Sequence, residues 1–290
     1  MSDQRTLANA ANENRSPVTF QGRQGAKLFL IGAMALLVLA FYAATDVSYL
    51  AHDHALTGAD WMGAAVCHRI TARSFSIAGR QLPLCARCTG MYLGVALTFL
   101  ALALSGRLRR GELPPLRLVL ILVGFIGLMA VDGLNSYSHF FPNAPHLYEP
   151  RNWLRLATGM GTGLALGLMV FPALAQTLWR NSESHAVIST GRELVGLVLV
   201  AGAAMLLVLG NQPVILYVLA LVSTAGVLLI VTAINTILWL VLLRQDGRVT
   251  RWQQAAILLL ISLGLAVVQL GTVSLLRFDL TGTITSFPGL

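Results

Sequence analysis

The sequence predicts an all-α, polytopic membrane protein, a transmembrane helix bundle of about seven spans. Two observations carry that prediction. Hydrophobic residues make up 56% of the chain and charged residues only 11%, against roughly 25% charge in a soluble domain. The mean hydropathy is +0.72, which leaves too little polar surface to face water. The apolar residues also fall in runs close to the ~20 residues that a helix needs to cross a hydrocarbon core.

Taken in order, residues 1–26 are polar and lack the apolar core and small-residue cleavage site of a signal peptide. They read as a disordered cytoplasmic tail. Spans are expected at 27–45, 85–105, 117–134, 153–179, 193–210, 213–243 and 253–276. The sixth is long enough to tilt or to run past the bilayer. Gly210-Asn211-Gln212-Pro213 separates the fifth from the sixth, because proline stops one helix and opens the next. Gly90 and Gly94 in the second span, and Gly159, Gly163 and Gly167 in the fourth, recur every four residues, a spacing that lets helices pack closely. Asn235 and Gln269 are expected to hydrogen-bond to neighbouring helices. The organisation expected is a tail (1–26), a membrane core carrying the site (27–180) and a C-terminal three-helix membrane segment (181–290).

A formal charge of +8 would suggest a nucleic-acid partner for a soluble protein. Here it reads as topology, since cytoplasmic loops collect Lys and Arg, and no nucleic-acid partner is expected. With the N-terminus cytoplasmic, Arg107, Arg109, Arg110, Arg117, Arg180, Arg192, Arg244, Arg248 and Arg251 all fall inside, as does the basic tail. The C-terminus and the segments 46–84 and 135–152 then lie outside the inner membrane. Five histidines (His52, His54, His68, His139, His146) share that outer face. Arg69, Arg73, Arg80 and Arg87 run against the positive-inside trend there, which marks them for a role.

The stretch CHRITARSFSIAGRQLPLCARCTG holds Cys67, Cys85 and Cys88, all the cysteines of the chain. An odd count forbids complete pairing within one chain. Pro83 suits the first helical position of the second span, which would put Cys85 and Cys88 in its opening turn. At about 100° per residue, Cys85, Cys88, Thr89 and Tyr92 then share a face and Arg87 points away. A helix N-terminus lowers a thiol's pKa. Three readings stay open. The first is a metal site of Cys67, His68, Cys85 and Cys88 holding zinc or iron, although adjacent residues rarely ligate one ion. The second is a redox-active C-x-x-C with Cys67 as a third partner. The third is a structural disulfide with one buried free thiol.

Arg69 and Arg73 share a face if their stretch is helical. With Arg87 and Arg155 they form a cationic pocket for carboxylate or phosphate, unless they only snorkel to phospholipid phosphates. Asp132 closes the third span, and Asn152 and Arg155 open the fourth. Asp132 with Arg155 is the expected ion pair, either part of a site or a lock between helices. His52-Asp53-His54 reads as a solvated loop. No phosphate-cradling glycine loop, H-E-x-x-H or G-x-S-x-G is present, so a nucleotide-driven pump or a serine hydrolase has no support.

These residues resemble a family of bacterial and archaeal membrane proteins catalogued as a domain of unknown function. Its signature is CHR…RSF…G…LPLCARCTGMYLG, then Asp-Gly, then Asn-x-x-Arg-x-x-Thr-Gly. Here those fall at Cys67 to Gly94, Asp132-Gly133 and Asn152 to Gly159. The resemblance covers about 61–167, three spans, and implies a membrane fold with one shared polar site and no known reaction. The function expected is binding, or modification, of an anionic lipid or isoprenoid-phosphate head group at a metal-supported site, with catalytic residues unassigned. A membrane thiol–disulfide oxidoreductase is the first alternative, and a transporter or channel the second.

Overall fold

The computed structural model describes residues 52–141 and 145–285. The expected tail and first span (27–45) lie outside the described residues. Among those described, six helices are long and apolar enough to cross a membrane, and they correspond to the second through seventh expected spans.

Ahead of them stands a helix that the apolar runs do not predict. α1 (His54–Val66) opens on Asp53, whose carboxylate accepts from the Ala55 N–H at 3.3 Å. It buries Leu56, Ala59, Asp60, Gly63 and Ala64, a single stripe at helical spacing. Its 13 residues span only about 20 Å at ~1.5 Å each, too short to cross a bilayer. The helix stops at Cys67, where φ is −136°. Arg69 turns the chain with a left-handed φ of 53°, and a single 3-10 turn, Thr71–Arg73, leads into a hairpin.

The hairpin joins β1 (Ser74–Ile77) to β2 (Arg80–Cys85) in antiparallel pairing. Its two turn residues, Ala78 and Gly79, have φ of 47° and 84°, the positive-φ geometry that matches strand twist. Two expectations are corrected here. Pro83 lies buried in β2 rather than opening a helix, because Ser74 pairs with Cys85 and keeps the chain extended that far. A two-stranded ribbon tolerates its missing N–H. Arg69 and Arg73 do not share a helical face, since Arg69 is left-handed, Ile70 is extended and only Thr71–Arg73 form a single 3-10 turn.

α2 (Ala86–Leu104) begins directly after Cys85, which is its N-cap. β3 (Arg110–Glu112) follows, then α3 (Leu116–Ser138) and α4 (Asn152–Leu178). β4 (Glu183–Ala186) pairs in parallel with β3. α5 (Gly191–Leu209) is fixed by a reciprocal cap between Thr190 and Glu193. α6 (Pro213–Leu242) opens on its proline, as the Gly210–Pro213 turn predicts. α7 (Trp252–Thr281) ends at Gly282, whose φ of 69° suits a glycine C-terminal cap. α3 runs a turn further than expected, so Asp132 sits inside it. Asn235 of α6 donates to Gln269 of α7 at 2.9 Å, as expected.

α4 is the centre of the bundle: 61% of its most apolar stretch is enclosed, against 22% for α3 and 17% for α7. Its most extensive neighbour is α2. These two helices run parallel and meet through glycines. A methyl at Gly90 would collide with the Leu156 carbonyl, one at Gly94 with Met160, one at Gly159 with Arg87 and one at Gly163 with Met91. The spacing legible in sequence is therefore a backbone-to-backbone seam. α1 packs on α7, β2 and α6, at the end where α2 and α4 begin. The β3–β4 pair lies at the other end, where the Arg109 guanidinium stacks over Trp179 at 4.8 Å and Trp252 at 5.6 Å.

Candidate functional site

The three cysteines come together from three local structures. Cys67 ends α1, Cys85 ends β2 and Cys88 lies in the first turn of α2. The hairpin folds β2 back against α1 and so carries Cys85 to Cys67. Their sulfur atoms all lie within 4.8 Å of one another, and none is in a disulfide. Cys67 is buried, and its sulfur accepts from the backbone N–H groups of Arg69 at 3.4 Å and Cys85 at 3.3 Å. Hydrogen bonds of this kind favour a charged acceptor. The trio shares its protons unequally. Cys85 is held well below the usual thiol range because it accepts from Cys67 and Cys88. The Cys67 thiol is pushed up to about 11 by its bond to Cys85 and by burial. His68 is exposed, and its ring nitrogens are not within 4.8 Å of all three sulfurs.

Cys67, Cys85 and Cys88 line one side of a cavity of about 450 Å³ whose other walls include Arg73, Arg87 and Arg155, with Tyr137 and Phe140 at its rim. The ion pair here differs from the expected one. Asp132 pairs with Arg87, not with Arg155. Arg87 points from the opening turn of α2 straight at α3, where its Nε reaches Asp132 Oδ2 at 3.1 Å and its Nη2 reaches Ser136 Oγ at 3.1 Å. Tyr148 donates to the second carboxylate oxygen at 2.9 Å, so Asp132 is fully committed. Arg155 instead bonds Asn152 Oδ1 at 2.8 Å, within its own first turn. Arg155 is only 6% exposed, yet among the described residues its Nε has no hydrogen-bond partner. Arg73 donates to the Ser136 carbonyl at 3.0 Å and lies 4.1 Å over the Phe140 ring. Burial, and the nearby Arg87 charge, work against its own charge. Three guanidinium groups thus face one cavity with one carboxylate among them.

Arg69 also reaches the cavity wall; its Nη atoms bond Asp60 at 2.6 Å and the Ile284 carbonyl at 3.1 Å, and its buried Nε, like that of Arg155, has no hydrogen-bond partner among the described residues. Asp60 bridges Arg69 and Arg80. From α7, Arg277 donates to the carbonyls of Ala64 at 2.8 Å, Cys67 at 2.5 Å and His68 at 3.0 Å. It ties the open carbonyl end of α1 to the last helix. Asp132 and Asn152 stand behind the arginines and aim them.

A family profile described as "Predicted membrane protein (DUF2085)" matches residues 67–169. An uncharacterized protein of Methanothermobacter thermautotrophicus is 33% identical over 104 residues, which is 36% of this chain and 83% of that protein. The chain belongs to the DUF2085 family. Another relative, an uncharacterized protein of Methanocaldococcus jannaschii, is 28% identical over 117 residues, 40% of this chain and 68% of that one. No solved structure matches. The DUF2085 stretch begins at Cys67 and ends within α4, so it holds the three cysteines, Arg73, Arg87, Asp132, Asn152 and Arg155. Asp60 and Arg277 lie outside it.

Sequence reasoning missed Asp60, Ser136, Tyr148 and Arg277. One signal for Asp60 was available: it falls on the buried stripe of α1, and an acid there must find a cation. Arg277 lies more than 200 residues from its acceptors at the end of α1, and no local pattern announces it.

Proposed function

We propose that this membrane protein receives a phosphate-bearing anionic lipid head group, an isoprenoid phosphate included, in the arginine-lined cavity, and that Cys67, Cys85 and Cys88 hold a zinc or iron ion beside it. The single observation that carries this reading is the excess of charge: Arg73, Arg87 and Arg155 share one cavity with Asp132 as their carboxylate. Guanidinium groups fork onto phosphate oxygens, and Arg155 has a donor to spare. The thiols suit a metal in chemistry and in proximity. The metal would fix the α1–hairpin wall and polarise an oxygen of the head group. His68 lines the same cavity and is exposed, outside the group of three sulfurs.

In this reading the cavity opens at the outer leaflet, with the N-terminus cytoplasmic and the C-terminus outside. The opposite end of the bundle carries Arg107, Arg109, Arg110, Arg117 and Arg180 among others, the pattern of a cytoplasmic face. Residues 27–180 would carry the site, and 181–290 would buttress it through contacts such as Arg277 with the α1 terminus.

Purification without chelator or reductant tests the proposal, by measuring bound metal and free thiols on one sample. About one zinc or iron per chain, lost in Cys88→Ser, supports it. Two oxidised cysteines with no metal would sink it. That outcome would favour a thiol–disulfide oxidoreductase, whose supporting observation is the proximity of all three thiols. Transport draws less support, since Asn235 and Gln269, polar groups deeper in the helices, satisfy each other.

A further inference from the structure

We infer that the metal's fourth coordination position is left open by the protein and is filled by an oxygen of the bound anion, so that metal and arginines grip one ligand from two sides. This rests on the metal-supported reading above and adds the ligand's mode of binding.

The donor set is short by one. A tetrahedral ion with bonds of about 2.3 Å places its sulfurs roughly 3.8 Å apart, a separation compatible with three sulfurs that all lie within 4.8 Å of one another. Among the described residues, no fourth His, Cys, Asp or Glu joins that group. The nearby carboxylates are occupied: Asp132 by Arg87 and Tyr148, Asp60 by Arg69 and Arg80. On one side the cysteines pack against Leu84, Val227 and Leu270, which offer no ligand. On the other side they face the cavity that Arg73, Arg87 and Arg155 share. An open position therefore points at the arginines.

Charge favours the same arrangement. A divalent ion with three thiolates carries one negative charge, and three arginines with Asp132 carry two positive ones. The sum is one positive charge, which draws an incoming anion. Arg155 strengthens the case independently, being buried, turned to the cavity and left with an unpartnered Nε. The ligand class is a phosphate monoester or inorganic phosphate: one oxygen donates a lone pair to the metal and displaces a water, and the others accept from guanidinium. No bond of the ligand breaks and no electron is transferred.

Cobalt(II) makes the fourth ligand visible. The full chain in detergent, loaded with cobalt, is expected to show thiolate-to-cobalt charge-transfer bands and tetrahedral d–d bands. Adding inorganic phosphate should shift the d–d bands and leave the cobalt content unchanged. A long-chain alkyl monophosphate should produce the same shift at about a tenfold lower concentration if the natural source is a lipid, since each tenfold is ~1.4 kcal/mol of tail burial; equal potency identifies free phosphate. Arg155→Gln should keep the cobalt bands and weaken the phosphate response about tenfold, as loss of one charged hydrogen bond predicts. His68→Ala should leave the bands as they are. Bands that ignore phosphate but change in His68→Ala would overturn the inference while sparing the metal-supported reading. A chain that binds no cobalt, or binds it equally well as Cys88→Ser, would overturn both.

Discussion

Replacing Asp132 with alanine removes the one carboxylate among three clustered arginines, and its cost follows from the geometry. The Asp132 side chain is 1% exposed and that of Arg87 24%. Breaking a buried pair by deleting one partner costs about 3–5 kcal/mol, most of it from the charge left behind. Arg87 keeps its bond to Ser136 and some access to water, which argues for the lower end, about 3 kcal/mol. Tyr148 loses its acceptor and Arg87 its ion-pair partner, so α3 loosens from α2. At ~2–4 °C per kcal/mol for a large domain, the midpoint of thermal unfolding in detergent should fall by about 6–12 °C. The decisive comparison is the double variant Asp132→Ala with Arg87→Met. With no stranded charge it should recover most of the loss. An unchanged midpoint in the single variant, or a double variant worse than the single, would refute the claim that this ion pair holds α2 to α3.

Gly163→Val should abolish a monodisperse peak in size-exclusion chromatography, because the side chain meets the Met91 backbone and overpacking costs about 1–3 kcal/mol or more; Gly264→Ala, which meets nothing within 4 Å, should elute as the parent does. In metal-free protein, iodoacetamide followed by mass mapping should find Cys85 modified first. Its lowered pKa keeps it a thiolate until pH falls through that value, whereas Cys67 gains thiolate only as pH climbs toward about 11; Cys67 reacting first at neutral pH would contradict the assignment. Arg109→Ala should change tryptophan emission by removing the guanidinium stacked on Trp179 and Trp252, at a cost of about 0.5–1 kcal/mol; emission identical to the parent's would argue against the stack.

Much of the membrane architecture is legible in the chain because a bilayer demands long apolar runs, and nothing shorter satisfies it. Pro213 and the glycines at four-residue spacing announce a helix start and a close seam by themselves. α1 escapes notice because its buried stripe is small and broken by Asp60. The hairpin escapes because β2 reads as the approach to a helix; only pairing with β1 keeps Pro83 extended. The thiols are recognisable as a group, since two lie one helical turn apart. The partner of Asp132 is not recognisable. Helical arithmetic relates side chains within one helix, and the choice between Arg87 and Arg155 depends on how far α3 extends and which helix it faces. Arg155 is drawn instead to Asn152, three residues away.

The glycine seam also decides which parts of the site can move. Cys88 rides on α2 and Arg155 on α4, and between these helices main chain touches main chain at Gly90, Gly94, Gly159 and Gly163. Sliding one helix past the other by a residue would drive a side chain into a carbonyl, so the two halves of the cavity are held at a fixed separation, like the arms of a caliper. Any adjustment to a ligand falls to the walls that lack such a seam: the α1–hairpin corner that carries Cys67, and the end of α3, which leans chiefly on α4. The distance from Cys88 to Arg155 is thus the fixed dimension of the cavity, and its other walls are the adjustable ones.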